Sequence, residues 1–496
     1  MHSIVSHAKT MALTLACCVV TAGAVTVTVD PSVEYQTIEG FGGFGLNLIT
    51  TQSYLDKIIG DLGVTMIRTN TADAAQSVDD WANFVNAVKA RADALGEPMR
   101  FIASTWSPPA HMKVNNSVDG LDPNTNKLRP ENYDDYGEVV KTFLQQMKTK
   151  TGIDYYGVSF QNEPAFPEPY WSCVYTAQEY RDMIKAAAPI VKQAFPNILV
   201  FGAEDMLANW TVNPYAGFCQ ADPVARELLN VFAVHGYSDG VHPTPASGAV
   251  RKWQLAGQNC LQAGKPLWMT ETSGYPSNWD GAFELAEMIY AALKHGKLAA
   301  WVWWTIAGRG DEYYLMDGET PTQKYYTSKN FYRYIRPGAV MVDALSDDSL
   351  VFSVGFHHKQ NRTLSLVLLN ANSSARTVTI SGDNLPTFHR YLTTSSINCE
   401  GQGTTGAANI QLPAKSVTSL YGENYNPSVA VSRPHNRHTR PRPRPNASVA
   451  TRWYTLTGQK VRQVSPRAGA AGVMIARQAS SKWLSVEGMT RGAGGR

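Results

Sequence analysis

Cysteine is scarce in this chain of 496 residues, net charge is small, and long apolar runs are missing. Beyond residue 24 no segment reaches the ~18 uninterrupted apolar residues of a membrane-spanning helix, which argues against embedding in a bilayer. No glycine-rich loop ends in Gly-Lys-Ser/Thr, so a phosphate cradle of that kind is excluded. His357 and His358 stand without partners at metal-ligand spacing, and no metal is expected. Gly40, Gly42 and Gly45 match Gly-x-Gly-x-x-Gly. A dinucleotide site needs a helix directly after that turn, and Asn47 to Ser53 is a poor helix start, so no nicotinamide or flavin cofactor is expected.

The net charge of +3 conceals an asymmetry. From Glu423 onward there are 13 Lys/Arg against 2 Asp/Glu, and before it 31 against 39, so a mildly acidic body carries a strongly basic tail. Residues 1–24 read as a secretory leader. His2, His7 and Lys9 precede the apolar stretch Met11 to Val20, and Ala22-Gly23-Ala24 fits a small-x-small cleavage site. The expectation is a secreted, extracellular protein, with cell-surface attachment as an option. Cys17 and Cys18 leave with the leader. Of the remaining Cys173, Cys219, Cys260 and Cys399, the first two follow predicted strands at one rim, which suggests a Cys173–Cys219 bridge; buried free thiols are the equal alternative.

What the chain does have is an alternation of short apolar runs and helical periods between residues 38 and 338. Strands are expected at Thr65–Thr69, Arg100–Ser104, Val158–Phe160, Leu199–Phe201, Val231–His235, Pro266–Met269 and Ala299–Trp304. Helices are expected at Trp81–Leu95, Tyr133–Lys148, Thr176–Ala194 and Phe283–His295. With the glycine-rich run at 40–45 as the first strand, this is a (β/α)8 barrel of the α/β class. From 339 to 422 short β-rich runs replace the helical period, which reads as a side β-sandwich, and the N-terminal strand 25–37 is assigned to it. Residues 423–446 form a linker containing Arg440-Pro-Arg-Pro-Arg-Pro445, and 447–496 a small basic β module.

Two glutamates end apolar strand-like runs: Glu163 in Gln-Asn-Glu-Pro (161–164) and Glu271 in Trp-Met-Thr-Glu (268–271). Their separation is about three βα units of roughly 31 residues, which places them on barrel strands four and seven, at the end where such barrels keep their chemistry. Opposed carboxyl groups in one cleft suit glycosidic bond cleavage, with one acid protonating the departing oxygen and a carboxylate attacking the anomeric carbon. Glu163 is assigned as acid/base and Glu271 as nucleophile. Trp106, His235, Tyr237 and Trp304 follow barrel strands and offer aromatic faces and polar tips for a sugar. Arg68, ending strand two, either holds a catalytic carboxylate or pairs with a structural acid.

These residues resemble glycoside hydrolase family 30. Gly-Phe-Gly-Gly (40–43), Trp-Ser-Pro-Pro (106–109), Gln-Asn-Glu-Pro (161–164), His-Gly-Tyr (235–237), Trp-Met-Thr-Glu (268–271) and Arg-Pro-Gly (336–338) run in family order over residues 25–422. The resemblance implies a retaining mechanism, contact of Asn162 with the sugar 2-hydroxyl, a hydrogen bond from Tyr237 to the nucleophile, and a side sandwich built from both ends of the catalytic unit. Within the family the likeness is to bacterial xylanases that read glucuronic acid branches. Arg309 is the candidate uronate reader, although Asp311 and Glu312 offer it a loop salt bridge instead. The expected substrate is β-1,4-xylan. β-1,6-glucan or galactan, a β-glucoside or glucosylceramide, and a non-catalytic carbohydrate-binding role are the alternatives. The expected state is a monomer, with the tail resembling sorting or attachment modules that meet the cell envelope or export machinery rather than nucleic acid.

Overall fold

The computed structural model describes residues 24–45, 47–71, 77–207, 214–237, 248–309 and 313–428. The leader, Asp311, Glu312, most of the linker and the basic C-terminal module lie outside the described residues. The chain divides into two compact units, 1–430 and 431–496, and the first holds all described elements.

Strand β1 (Val25–Thr37) precedes eight parallel strands that close on themselves in chain order: β2 (Gly40–Phe44), β3 (Met66–Asn70), β4 (Arg100–Ser104), β5 (Gly157–Ser159), β6 (Leu199–Met206), β7 (Val231–His235), β8 (Leu267–Glu271) and β9 (Leu298–Trp303). Pairing of Gly40 with Ala300 and of Gly43 with Trp303 completes the ring between β2 and β9. The barrel interior is filled by Met66, Ile102, Phe201, Val231, Trp268 and Val302, so it is a packed core. Close approach explains the glycine run. A Cβ on Gly42 would fall 1.6 Å from the Met66 carbonyl oxygen, and Gly42 lies within a strand, not in a phosphate-binding turn.

The helices are α1 (Gln52–Leu55), α2 (Val78–Leu95), α3 (Tyr133–Thr151), α4 (Ala177–Ala194), α5 (Pro214–Ala221), α6 (Pro223–Leu228), α7 (Gly248–Ala263), α8 (Trp279–Lys294) and α9 (Gln323–Tyr332). Their apolar faces join the outer faces of the barrel strands in one continuous core. Reciprocal caps start two of them, Ser77 with Asp80 at α2 and Thr176 with Glu179 at α4. Helices α2 and α8 begin earlier than the periodicity predicts, because Ser77 and Asn278 cap them ahead of the first apolar residues. Helix α7, between β7 and β8, is absent from the sequence-based expectation.

After the barrel, β10 (Ala307–Gly308), β11 (Met316–Asp317) and β12 (Thr320–Pro321) make a small three-stranded sheet. The remaining strands are β13 (Val340–Ser346), β14 (Val351–His358), β15 (Thr363–Asn370), β16 (Arg376–Ser381), β17 (Phe388–Thr393), β18 (Asn398–Thr405), β19 (Ile410–Leu412) and β20 (Ser416–Gly422). With β1 they form one sheet in the order β18-β17-β20-β15-β14-β13-β1-β16-β19. It rolls over its own core, so that Arg390 of β17 donates to the Gln411 carbonyl of β19 at 2.6 Å although the two strands are far apart in sheet order. Side-chain alternation serves two cores. Leu364, Leu366 and Leu368 of β15 face the inside of the roll, whereas Val367 and Leu369, with Phe352, Val354 and Phe356 of β14, pack with the barrel helices. Phe352 meets Tyr290 of α8 with ring centroids 5.1 Å apart.

The expected Cys173–Cys219 bridge is corrected by the structure. Both residues are free, fully buried thiols. Cys173 lies in the segment beyond β5 and Cys219 inside α5. Each packs into the apolar core, where burial pushes the thiols up to about 11 and about 12 respectively. Following consecutive barrel strands brings two residues to the same end of a barrel without bringing their sulfurs together.

Candidate active site

Strand β5 is only three residues long and buried throughout. The chain beyond it is held from several sides. Tyr136 of α3 donates to the Phe160 carbonyl, the Gln161 side chain donates to the Trp106 carbonyl at 2.8 Å, and the Asn162 N–H donates to the Thr105 carbonyl at 2.7 Å. Glu163 then adopts a φ of 46°, in the left-handed region that non-glycine residues seldom occupy. Such conformations cost on the order of 1–3 kcal/mol and concentrate at functional sites. Glu271 is the last residue of β8. The two glutamates therefore sit on barrel strands four and seven, and a carboxylate oxygen from each lies with a His235 ring nitrogen inside a cluster no more than 4.8 Å across.

Arg68 of β3 is the hub of this cluster and is fully buried. Its Nη1 donates to Glu271 Oε2 at 2.6 Å. Its Nη2 donates to Asn162 Oδ1 at 2.6 Å and to Glu204 Oε1 at 2.9 Å, and its Nε donates to Ser104 Oγ at 3.0 Å. Tyr237 donates its hydroxyl to the other Glu271 oxygen. His235 of β7 places Nδ1 2.8 Å from Glu163 Oε1 and Nε2 3.5 Å from Glu204 Oε1. The group Glu163, His235 and Glu271 has the compactness of a metal site, but Glu271 already accepts from Arg68 and Tyr237. A guanidinium bonded to one ligand disfavours a cation at the same place.

Burial raises the Glu163 carboxyl above the usual range, and the nearby Glu271 charge adds to this against the pull of His235 and Arg68. Glu204 goes the other way. Burial opposes its ionisation, but Arg68 and His235 outweigh burial and bring it to about 2. Burial likewise opposes a charged His235, yet Glu271, Glu163 and Glu204 together raise it to about 9. These shifts define a stability window. The Glu204 contribution is complete above its unfolded value of 4.5 and disappears as pH falls toward about 2. The His235 contribution is complete below 6.5 and disappears as pH rises toward about 9. His295, which burial lowers to about 4, works with Glu204 on the acid side, so thermal melting is expected to rise toward pH 6.5 and to decline between 6.5 and 8; a melting temperature that climbs across that second interval would contradict it.

An aromatic wall flanks the acids. The Arg68 guanidinium lies 4.7 Å from the Trp106 ring centroid and 5.8 Å from that of Phe44. Trp304 packs on Phe44 at 4.6 Å and on Trp106 at 5.8 Å. Trp106 and Trp304 are half-buried, whereas Trp301 and Trp303 are wholly buried, the latter donating to the Tyr313 carbonyl at 2.9 Å. Of the sequence-based candidates, the fold thus gathers Glu163, Glu271, Asn162, Arg68, His235 and Tyr237 into one bonded cluster, with Trp106 and Trp304 beside it. Arg309 is exposed, directly after β10. Glu204, Ser104 and Phe44 were not foreseen. Glu204 lies inside β6 (Leu199–Met206), two residues short of its end, so the strand-end rule that found Glu163 and Glu271 does not single it out.

The glycosyl hydrolase family 30 TIM-barrel domain matches residues 77–309. The chain is 26% identical over 416 residues to glucuronoxylanase XynC of Bacillus subtilis (strain 168), covering 79% of this chain and 91% of that protein. It is 22% identical over 378 residues to putative glucosylceramidase 1 of Caenorhabditis elegans, covering 65% and 71% respectively. Among solved structures, the family 30 subfamily 8 xylanase Xyn30A of Clostridium acetobutylicum superimposes with a TM-score of 0.69 at 23% identity, covering 80% of this chain and 99% of that one. The barrel, with an acid pair on its fourth and seventh strands, thus carries the glycosyl hydrolase family 30 TIM-barrel domain over residues 77–309.

Proposed function

We propose that the chain is a secreted retaining glycosidase that cleaves the β-1,4-xylan backbone, with Glu163 as acid/base and Glu271 as nucleophile. The observation that carries this reading is the approach of the two carboxyl groups, with oxygens 4.8 Å apart or less. Retaining enzymes hold their carboxyl groups about 5–5.5 Å apart, whereas inverting enzymes leave about 6.5–9.5 Å for a water. Glu163, its carboxyl raised by burial, gives its proton to the departing glycosidic oxygen while a Glu271 oxygen bonds to the anomeric carbon. Glu163, now ionised, takes a proton from water, whose oxygen attacks the same carbon and releases Glu271. Arg68 and Tyr237, each bonded to one oxygen of Glu271, fix the plane of that carboxylate. Because Asn162 Oδ1 is engaged by Arg68, its amide N–H groups are left for the sugar 2-hydroxyl.

The xylan assignment is supported by the glucuronoxylanase relative, which aligns over nine-tenths of its length. Exposed Arg309 suits a glucuronate carboxylate through two parallel hydrogen bonds. Export rests on the leader-like residues 1–24 and envelope attachment on the basic tail, and the enzyme is read as a monomer. The test is to incubate the protein with glucuronoxylan, arabinoxylan and β-1,6-glucan and to size the products. Uniform branched oligomers from glucuronoxylan are expected, and Arg309→Ala should lower that activity roughly 10- to 100-fold, the worth of a charged hydrogen bond. Hydrolysis of β-1,6-glucan alone would overturn the substrate and leave the acid pair standing.

A further inference from the structure

We infer that Glu204 is a positioning residue that joins the two reactive carboxyl groups through Arg68 on one side and His235 on the other. Its Oε1 is the middle of an unbroken chain. Glu271 accepts from Arg68 at 2.6 Å, Arg68 donates to Glu204 at 2.9 Å, Glu204 faces His235 Nε2 at 3.5 Å, and His235 Nδ1 meets Glu163 at 2.8 Å. Ser104 donates to the same Glu204 oxygen at 3.0 Å and itself accepts from Arg68. The backbone is shaped for this. Pairing of β6 with β7 slips between Ala203 and Asp205, leaving Glu204 as the extra residue of a bulge, with a φ of 55°. A bulge of this kind re-aims one side chain, and bulges are common beside active sites.

A second buried carboxylate is more than Arg68 requires, since Glu271 already supplies a counter-ion. The remaining cationic neighbour of Glu204 in the cluster is His235. His235 is faced by Glu163 from the segment after β5, by Glu204 from β6 and by Glu271 from β8. Glu204 is faced by Arg68 of β3, His235 of β7 and the Tyr180 hydroxyl of α4. An anion at Nε2 favours an N–H on that nitrogen and turns Nδ1 toward Glu163. The charge on Glu204 thereby joins those of Glu271 and Glu163 in holding the proton on the ring that touches the acid/base.

Glu204→Gln removes the charge and keeps a carbonyl oxygen for Arg68 and Ser104. His235 then loses support for its cationic form. A neutral ring accepts at Nδ1 from the protonated Glu163, which holds its proton to higher pH. The expected result is a kcat lowered about tenfold, a KM within about twofold because Glu204 is wholly buried, and an alkaline limb of kcat/KM moved up by about half a pH unit or more. A pH profile coincident with that of the parent would overturn the inference, as would an effect confined to KM. A measurement on the parent protein guards against misfolding of the variant: 15N NMR titration of His235 should find the ring still protonated at pH 8. Titration near 6.5 would overturn the inference. The kinetic consequence rests on the glycosidase reading, but the titration does not. A parent protein inactive on every glycan would sink that reading while leaving the role of Glu204 to the NMR result.

Discussion

Glu271→Gln is expected to lower kcat about 10⁴-fold or more while leaving glycan binding near its parent value. The reason is chemical. An amide oxygen cannot form the glycosyl ester that a carboxylate forms, and every other group in the cleft stays in place. A 10⁴-fold loss corresponds to about 5 kcal/mol of transition-state stabilisation. The fold should survive, because glutamine has the shape of glutamate and keeps an acceptor for Tyr237 or Arg68. Turnover on glucuronoxylan and calorimetric binding of the same oligomer separate the two effects. Undiminished hydrolysis by the variant would remove Glu271 from the mechanism.

The second large effect concerns stability. Arg68→Met should destabilise the folded state by about 3–5 kcal/mol, the usual result of removing one partner from a buried ion pair. Arg68 is fully buried and bonds both Glu204 and Glu271, so its loss strands two carboxylates away from water. Denaturant titration at pH 7 measures the deficit. The same titration near pH 4 should show a smaller one, because protonation relieves the stranded carboxylates. Equal deficits at both pH values would mean that Arg68 acts by packing, through its contacts with Trp106 and Phe44, and not by charge.

The positions of these groups differ in how visible they are from sequence. Glu163 and Glu271 follow short apolar runs that read as barrel strands, and counting units between them puts them on strands four and seven. His235 and Tyr237 follow from the same strand-end logic. Glu204 escaped because its orientation depends on a bulge, and a one-residue register slip leaves no periodicity to read. Of Trp301, Trp303 and Trp304, alternation along β9 hides the first two, and the packing of Phe44 and Trp106 against Trp304 marks the third as the residue beside the cleft. The rolled sheet was legible where strands are rich in branched apolar residues, as in β14 and β15. It was obscure at β18, whose sequence Asn-Cys-Glu-Gly-Gln-Gly-Thr-Thr looks like a loop and is a strand through its pairing with β17. For the thiols, shared location does not mean contact, and of the two equal readings the structure takes the buried free thiols.

The place of β1 in the sheet bears on how the protein is made. It lies between β13 and β16, paired antiparallel with one and parallel with the other, so Val27 meets Ser346 and Ile380. This strand, the first among the described residues, waits for partners made more than 300 residues later, roughly 15 to 60 s at ordinary elongation rates. Through that interval both of its edges are unsatisfied templates for aggregation. Pairing with β13 and β16 therefore closes β1 into the sheet only after the whole barrel between them has been made.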